Sequence, residues 1–258
     1  MNPLLTPKDA IEIGLILTRV IAIFLSFPLL NTSMVPINIK ILLVLMLSFY
    51  ISTFTNMSID MVNFSVLNLL FLIIKELFIG FSLGLLVNIF ISAFSYAAEI
   101  ISYFMGLTVV NVFDPTFGQI SVLNRFFILL FYLIFFITDA YHYILGSLIM
   151  SFEYFPLDKL IINENIWQFI IEKSSYIFIL GIQIAFPFAL ILFLINVALA
   201  LVNRLIPQIN VFIVGLPMQI FVGLASLAFG ASVIIYTIVT LIQRLGEDYI
   251  GFVKMLGF

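Results

Sequence analysis

FPFALILFLINVALALV, residues 186–202, carries a single polar side chain, Asn196. A membrane-barrel strand alternates lipid-facing apolar residues with lumen-facing polar ones over about ten positions, and this run does not alternate. Read as helix, it extends outward in both directions. Charge is absent from Ser174 to Asn203, Arg204 interrupts, and charge is absent again from Leu205 to Gln243. Each run exceeds the roughly 20 residues that cross a hydrocarbon core, and thirty helical residues reach about 45 Å. The two helices are therefore strongly tilted, partly outside a bilayer, or broken, with Pro187 and Pro217 the expected kinks.

Composition points the same way. Of 258 residues 64% are hydrophobic and 9% charged, and the mean hydropathy is +1.30. Soluble domains carry roughly 25% charged residues, so this chain cannot cover its own core with polar surface. Thirty phenylalanines add to that, since exposing their rings to water is costly. Net charge is −3 with no basic stripe, which excludes a nucleic-acid partner. Cysteine is absent, so thiol catalysis, disulfides and cysteine metal sites are excluded; His142 is the one histidine, which excludes a multi-histidine cluster. Asp9, Glu12 and Arg19 make the N-terminus a poor cleaved signal.

Charges and prolines divide the chain into about six apolar segments, and the expected fold is all-α. Val20 to Ile39 and the residues after Lys40 to Ile59 form two segments, with a turn where Pro28 and Pro36 bracket Asn31–Ser33. A third runs from Leu77 to Ala98, and a fourth from near Val122 to Asp139. Ser151 to Ser174, holding Glu153, Asp158, Lys159, Glu164, Glu172 and Lys173, is the aqueous linker before the two long runs. Placing both termini in the cytoplasm puts Lys8, Lys159, Lys173, Arg244 and Lys254 inside against Lys40 and Arg204 outside, as the positive-inside rule prefers.

Charges within apolar segments are the first functional suspects, at ~2.5–3.5 kcal/mol each near mid-membrane. Glu12 and Arg19 share a helical face near a helix end, where snorkelling to water is the expected role. Lys75 and Glu76 are adjacent and do not face one another. Glu76, Gly80 and Gly84 do share a face, and the two glycines allow another helix to approach closely. Glu76 is then a hydrogen-bonded group in a helix seam; the rival reading, a proton or ion site, lacks a second carboxylate to relay the proton. Asp139 and His142 are a helix-end pair; as a catalytic dyad they lack a nucleophile. No phosphate loop, Walker pattern or metal-ligand cluster is present, so an enzyme reading has no residues to carry it.

Two irregular stretches are more informative. GLTVVNVFDPTFGQ, residues 106–119, lies beyond Glu99 and combines Gly106, Pro115 and Gly118 with bulky Val109, Val110, Val112, Phe113 and Phe117, beside Asn111 and Asp114. Irregular backbone at membrane depth persists only where protein buries it or a cavity adjoins it. A plug or constriction in a pathway and an ordinary loop with an apolar underside fit equally. RLIPQINVFIVGLP, residues 204–217, sets Arg204, Pro207, Gln208 and Asn210 before Val211, Phe212 and Ile213, with Gly215 and Pro217 relaunching the helix. It reads as a packed hairpin tip whose amides satisfy freed backbone groups, the rival being a plain solvated turn, against which apolar Val211, Phe212 and Ile213 argue.

The order and spacing of six motifs resemble one family across nearly the whole chain. They are RVIAIFLSFPLL from Arg19, KELFIGFSLG from Lys75, AAEIISYFMGL from Ala97, VFDPTFGQISVL from Val112, SFEYFPL from Ser151 and PQINVFIVGLP from Pro207. The chain resembles the FliR family, membrane subunits of the flagellar type III export gate, whose sister branch is the injectisome T subunit; the DPTFGQ and PQINVF wording leans flagellar. It departs from the family at Asp139-Ala140-Tyr141-His142 and at Ala97-Ala98-Glu99, which bears on local packing.

The resemblance implies a non-enzymatic subunit without cofactor or metal. It would assemble with P and Q subunits into a helical pore for unfolded flagellar axial proteins, in the inner membrane at the flagellar basal body with much of its mass on the periplasmic side. A FlhB-type switch subunit would contact it from the cytoplasm. Residues 1–150 would be a P-like part with a plug loop at about 106–119, 151–174 a polar linker, and 175–258 a Q-like helical hairpin. The alternative is an ion-coupled small-solute transporter built on Glu76, Glu99 and Asp139.

Overall fold

The computed structural model describes residues 6–27, 35–54, 65–108, 121–157, 165–206 and 211–256. Among them are eight α-helices and no strand: α1 (Pro7–Ser26), α2 (Ile37–Phe54), α3 (Val66–Phe104), α4 (Val122–Ile137), α5 (Tyr141–Tyr154), α6 (Asn165–Leu205), α7 (Val211–Phe229) and α8 (Ala231–Leu256). The all-α expectation holds. Three helices are long and apolar enough to cross a membrane, or up to five if each of two bent pairs, α4–α5 and α7–α8, is one span.

Local sequence explains most helix boundaries. Thr6 caps α1: its hydroxyl accepts from the Asp9 amide at 3.2 Å while its own amide donates to Asp9 Oδ2 at 2.9 Å. The Thr6 amide, and then its hydroxyl, hold the Asp9 carboxyl below the usual carboxylate range. The cap therefore stabilises the helix above the ordinary carboxylate pKa and loses that contribution as pH falls through the lowered one. Asp139 sits between α4 and α5 with φ 53, a left-handed conformation that aspartate tolerates better than most residues.

Eight helices replace the six expected segments for two reasons. A further helix, α5, follows Asp139 and includes His142 within its first turn. The last run breaks at Gly230 rather than at Pro217, which lies inside an uninterrupted α7. A Cβ on Gly230 would lie 2.5 Å from the Phe188 ring, which would have to shift to admit it. Pro187 likewise lies inside α6, which runs unbroken for 41 residues. Helix also enters both ends of the polar stretch 151–174, to Tyr154 and from Asn165.

The chain divides into two compact units. One comprises 1–88, 139–173 and 244–258, the other 89–138 and 174–243. In the first, α2 packs on α1, and Leu15, Ile16, Val20, Leu83, Val87, Phe152, Leu245 and Phe252 are buried in the core. The Tyr249 hydroxyl donates to the Leu83 carbonyl at 2.7 Å, which satisfies a fully buried phenol. In the second, Phe94, Ala97, Ile101, Phe127, Phe131, Phe135 and Leu192 form the core, with the Phe94 and Phe131 rings 5.5 Å apart. The most apolar window of α3 is 67% buried, against 17% for α2 and 22% for α6. α3 is therefore the core helix, and α2 and α6 turn large apolar faces outward.

Candidate functional site

The first unit holds a buried charge cluster that the sequence reading missed in part. Arg19 on α1 has no exposed surface, so it does not snorkel. Its Nε donates to Glu76 Oε2 at 2.5 Å, Nη1 to the Ser151 hydroxyl at 2.9 Å and Nη2 to the Phe155 carbonyl at 3.1 Å. The guanidinium also lies 3.9 Å over the Phe152 ring, a cation–π contact. Lys75 Nζ donates to the Pro156 carbonyl at 2.8 Å and the Leu157 carbonyl at 3.4 Å, and stands 3.0 Å from Glu76 Oε1. Lys75 and Glu76 therefore do pair, against the expectation from their adjacency, because their long side chains converge in one buried space.

The cluster has a clear physical logic. Two cations share one carboxylate, and their other donors go to the Ser151 hydroxyl and to three successive carbonyls, Phe155 to Leu157, just past α5. Cations at a helix C-terminus meet the negative end of its dipole and its unpaired carbonyls. Gly80 and Gly84 make the approach possible. A Cβ on Gly80 would strike the Arg19 carbonyl oxygen and one on Gly84 the Ser26 side chain, so both glycines face α1. Glu76 thus lies between α1 and α3 with the whole cluster inside this unit.

The second unit frames the two ends of the 109–120 segment. Glu99 Oε1 accepts from the Ser121 amide at 3.1 Å, the Ser121 hydroxyl at 3.2 Å and Asn124 Nδ2 at 2.7 Å. The Ser121 hydroxyl in turn accepts from the Asn124 amide and caps α4. A carboxylate at a helix N-terminus meets the positive end of the dipole and unpaired amides. Glu99→Leu leaves those donors without an acceptor and is expected to cost about 1–3 kcal/mol. Glu99→Gln keeps a carbonyl oxygen and costs less. Thermal unfolding of the detergent-purified protein compares the two; equal losses would count against the capping role. At the other end, Gly106 has φ 74, the left-handed region that favours glycine.

The remaining candidates are dispersed. Val109, Val110, Asn111, Val112, Phe113, Asp114, Pro115 and Phe117 lie outside the described residues, as do Pro207, Gln208, Asn210 and the side chain of Phe212. Arg204 is exposed in the last turn of α6, Gly215 is buried and Pro217 exposed in α7. Asp139 is exposed, and its backbone carbonyl lies 3.1 Å from His142 Nδ1. Among the described residues no group of three or more acidic or histidine side chains could hold a metal ion.

Membrane-length apolar helices, outward apolar faces and polar groups tied up internally define an α-helical membrane protein. Comparison with known proteins places it further. Residues 10–245 match the model of bacterial export proteins, family 1. The chain is similar to the flagellar biosynthetic protein FliR of Aquifex aeolicus, 33% identical over 222 residues covering 85% of this chain and 84% of that protein. It is also similar to FliR of Escherichia coli, 30% identical over 213 residues covering 82% and 81%, and to FliR of Bacillus subtilis, 37% identical over 164 residues covering 62% and 63%. The chain belongs to the FliR family of bacterial export proteins.

Proposed function

We propose that this chain is a non-enzymatic subunit of the flagellar type III export gate, assembled with P and Q subunits into a helical pore for unfolded axial proteins. The observation that carries the reading is the length of the outward apolar face of α6. Its large exposed apolar side chains run with no exposed charge among them from Phe178 to Val202, between exposed Glu172 and exposed Arg204, about 36 Å along the axis at 1.5 Å per residue. A bilayer core of ~30 Å covers about 32 Å of helix at the average tilt of ~20°. The rest would face water unless other protein covers it, and sister subunits that wrap one another supply that cover.

In this reading residues 1–150 are the P-like part, 151–174 a polar connection and 175–258 the Q-like hairpin. Residues 106–119 close the pore, and Gln208 and Asn210 meet neighbouring subunits. The assembly sits in the inner membrane at the basal body with much of its mass towards the periplasm, and a FlhB-type subunit approaches from the cytoplasm. Buried Glu76 and half-buried Glu99 fit a framework role: neighbouring side chains engage both rather than leaving them to line a solute path. Deleting Val109–Phe113 is expected to leave assembly intact while ion conductance across the membrane rises well above background. Background conductance in a fully assembled deletion variant would overturn the pore-closing role.

A further inference from the structure

The C-terminal end of α3 is tied to two other helices of its unit by side-chain amides. After Phe104 the chain turns through Met105, Gly106 and Leu107, held by Met105 N to Ile101 O at 2.9 Å, Gly106 N to Tyr103 O at 3.0 Å and Leu107 N to Ser102 O at 3.0 Å. The Phe104 carbonyl belongs to the last turn, where helix carbonyls lack partners within the helix. Asn196 of α6 supplies one, donating from Nδ2 at 3.5 Å. Asn196 Oδ1 in turn accepts from Gln219 Nε2 of α7.

The same face of α7 grips the turn itself. A Cβ on Gly106 would lie 2.7 Å from Leu216 Cδ1 and 3.1 Å from Gln219 Oε1, and one on Gly223 would lie 2.5 Å from Met105 Cγ. Met105 and Leu107 also line an apolar cavity of about 590 Å³ with Phe127, Ile220 and Leu224. Both amides are half-buried, and linked hydrogen bonds beside apolar surroundings strengthen one another. Thr108, half-buried, is the last described residue before the 109–120 segment.

We propose that Asn196 and Gln219 form an amide latch that positions the turn at residues 105–108. They are positioning residues; the consequence for gating rests on the pore-closing role proposed for 106–119. The latch itself can be tested apart from conductance. The chain contains no cysteine, so Thr108→Cys introduces a single thiol. In the assembled export complex, its rate of labelling by a membrane-impermeant maleimide, read as the mass shift of this chain, reports how tightly the turn is held.

Asn196→Leu and Gln219→Met are each expected to raise that rate about threefold, the equilibrium shift that a typical interhelical hydrogen bond in a membrane protein supports. Gln183→Leu, which removes an exposed amide from the same helix, is expected to leave it unchanged. If Asn196→Leu fails to assemble, Gln219→Met decides alone, because it preserves side-chain length and removes only the amide. An unchanged labelling rate in an assembled latch variant overturns the latch. Background conductance in the Val109–Phe113 deletion would instead strike the pore-closing role and leave the labelling result standing.

Discussion

Glu76→Ala is expected to destabilise the subunit by about 3–5 kcal/mol, because it strands a buried guanidinium and a buried ammonium without their counter-ion. Arg19, Lys75 and Glu76 each have 1% or less of their surface exposed, so water cannot take over the lost role without opening the core. A loss of this size approaches the whole stability of many domains, and the variant should be depleted from the membrane fraction. Arg19→Met combined with Glu76→Leu strands one buried cation instead of two, the Lys75 ammonium, which keeps the Pro156 and Leu157 carbonyls, and should lose less than Glu76→Ala. Abundance in membranes and thermal unfolding in detergent measure both. A Glu76→Ala protein as abundant and heat-resistant as the parent would show that the cluster contributes little.

Gly80→Ala is the second large effect, expected at about 1–3 kcal/mol from overpacking. The obstacle to its methyl group is the Arg19 backbone carbonyl, with the Ala22 Cβ only 2.7 Å away. A backbone atom cannot rotate aside, so α1 must shift against α3, which also strains the Arg19–Glu76 pair. Gly84→Ala meets the Ser26 side chain, whose hydroxyl is engaged with the Ala22 carbonyl at 2.8 Å; rotation there relieves part of the clash. Gly14, on α1 with nothing within 4 Å of a Cβ, is the control. Gly14→Ala should be neutral or slightly stabilising, since alanine is the better helix former. If all three variants unfold together with the parent, close packing of α1 on α3 is not a stability determinant.

Much of this architecture was legible in the amino-acid order, and the exceptions have physical causes. The all-helical class followed from apolar runs such as 186–202, which no alternating strand accommodates. The glycines at 80 and 84 announced a helix contact by their spacing. Arg19 was misread because its partners lie 57, 132 and 136 residues away, where periodicity says nothing. Glu99 could have been read further: Ser121 followed three residues later by Asn124 is a helix-start pattern, but its carboxylate partner lies 22 residues upstream. Pro217 is the stronger local signal for a break but lies inside α7, and the close approach of the Phe188 ring to Gly230 exists only in the folded arrangement. Asn196 and Gln219 are isolated amides in apolar helices with no local pattern to link them; only the folded arrangement brings them to the end of α3.

The most direct measurement is the composition of what this chain brings with it. An affinity-tagged chain, co-expressed with the P- and Q-type subunits proposed as its partners and purified in mild detergent, is expected to elute as one stable complex containing both. A stable, monodisperse monomer carrying neither subunit would contradict the account, because the outward apolar length of α6 would then need no protein partner.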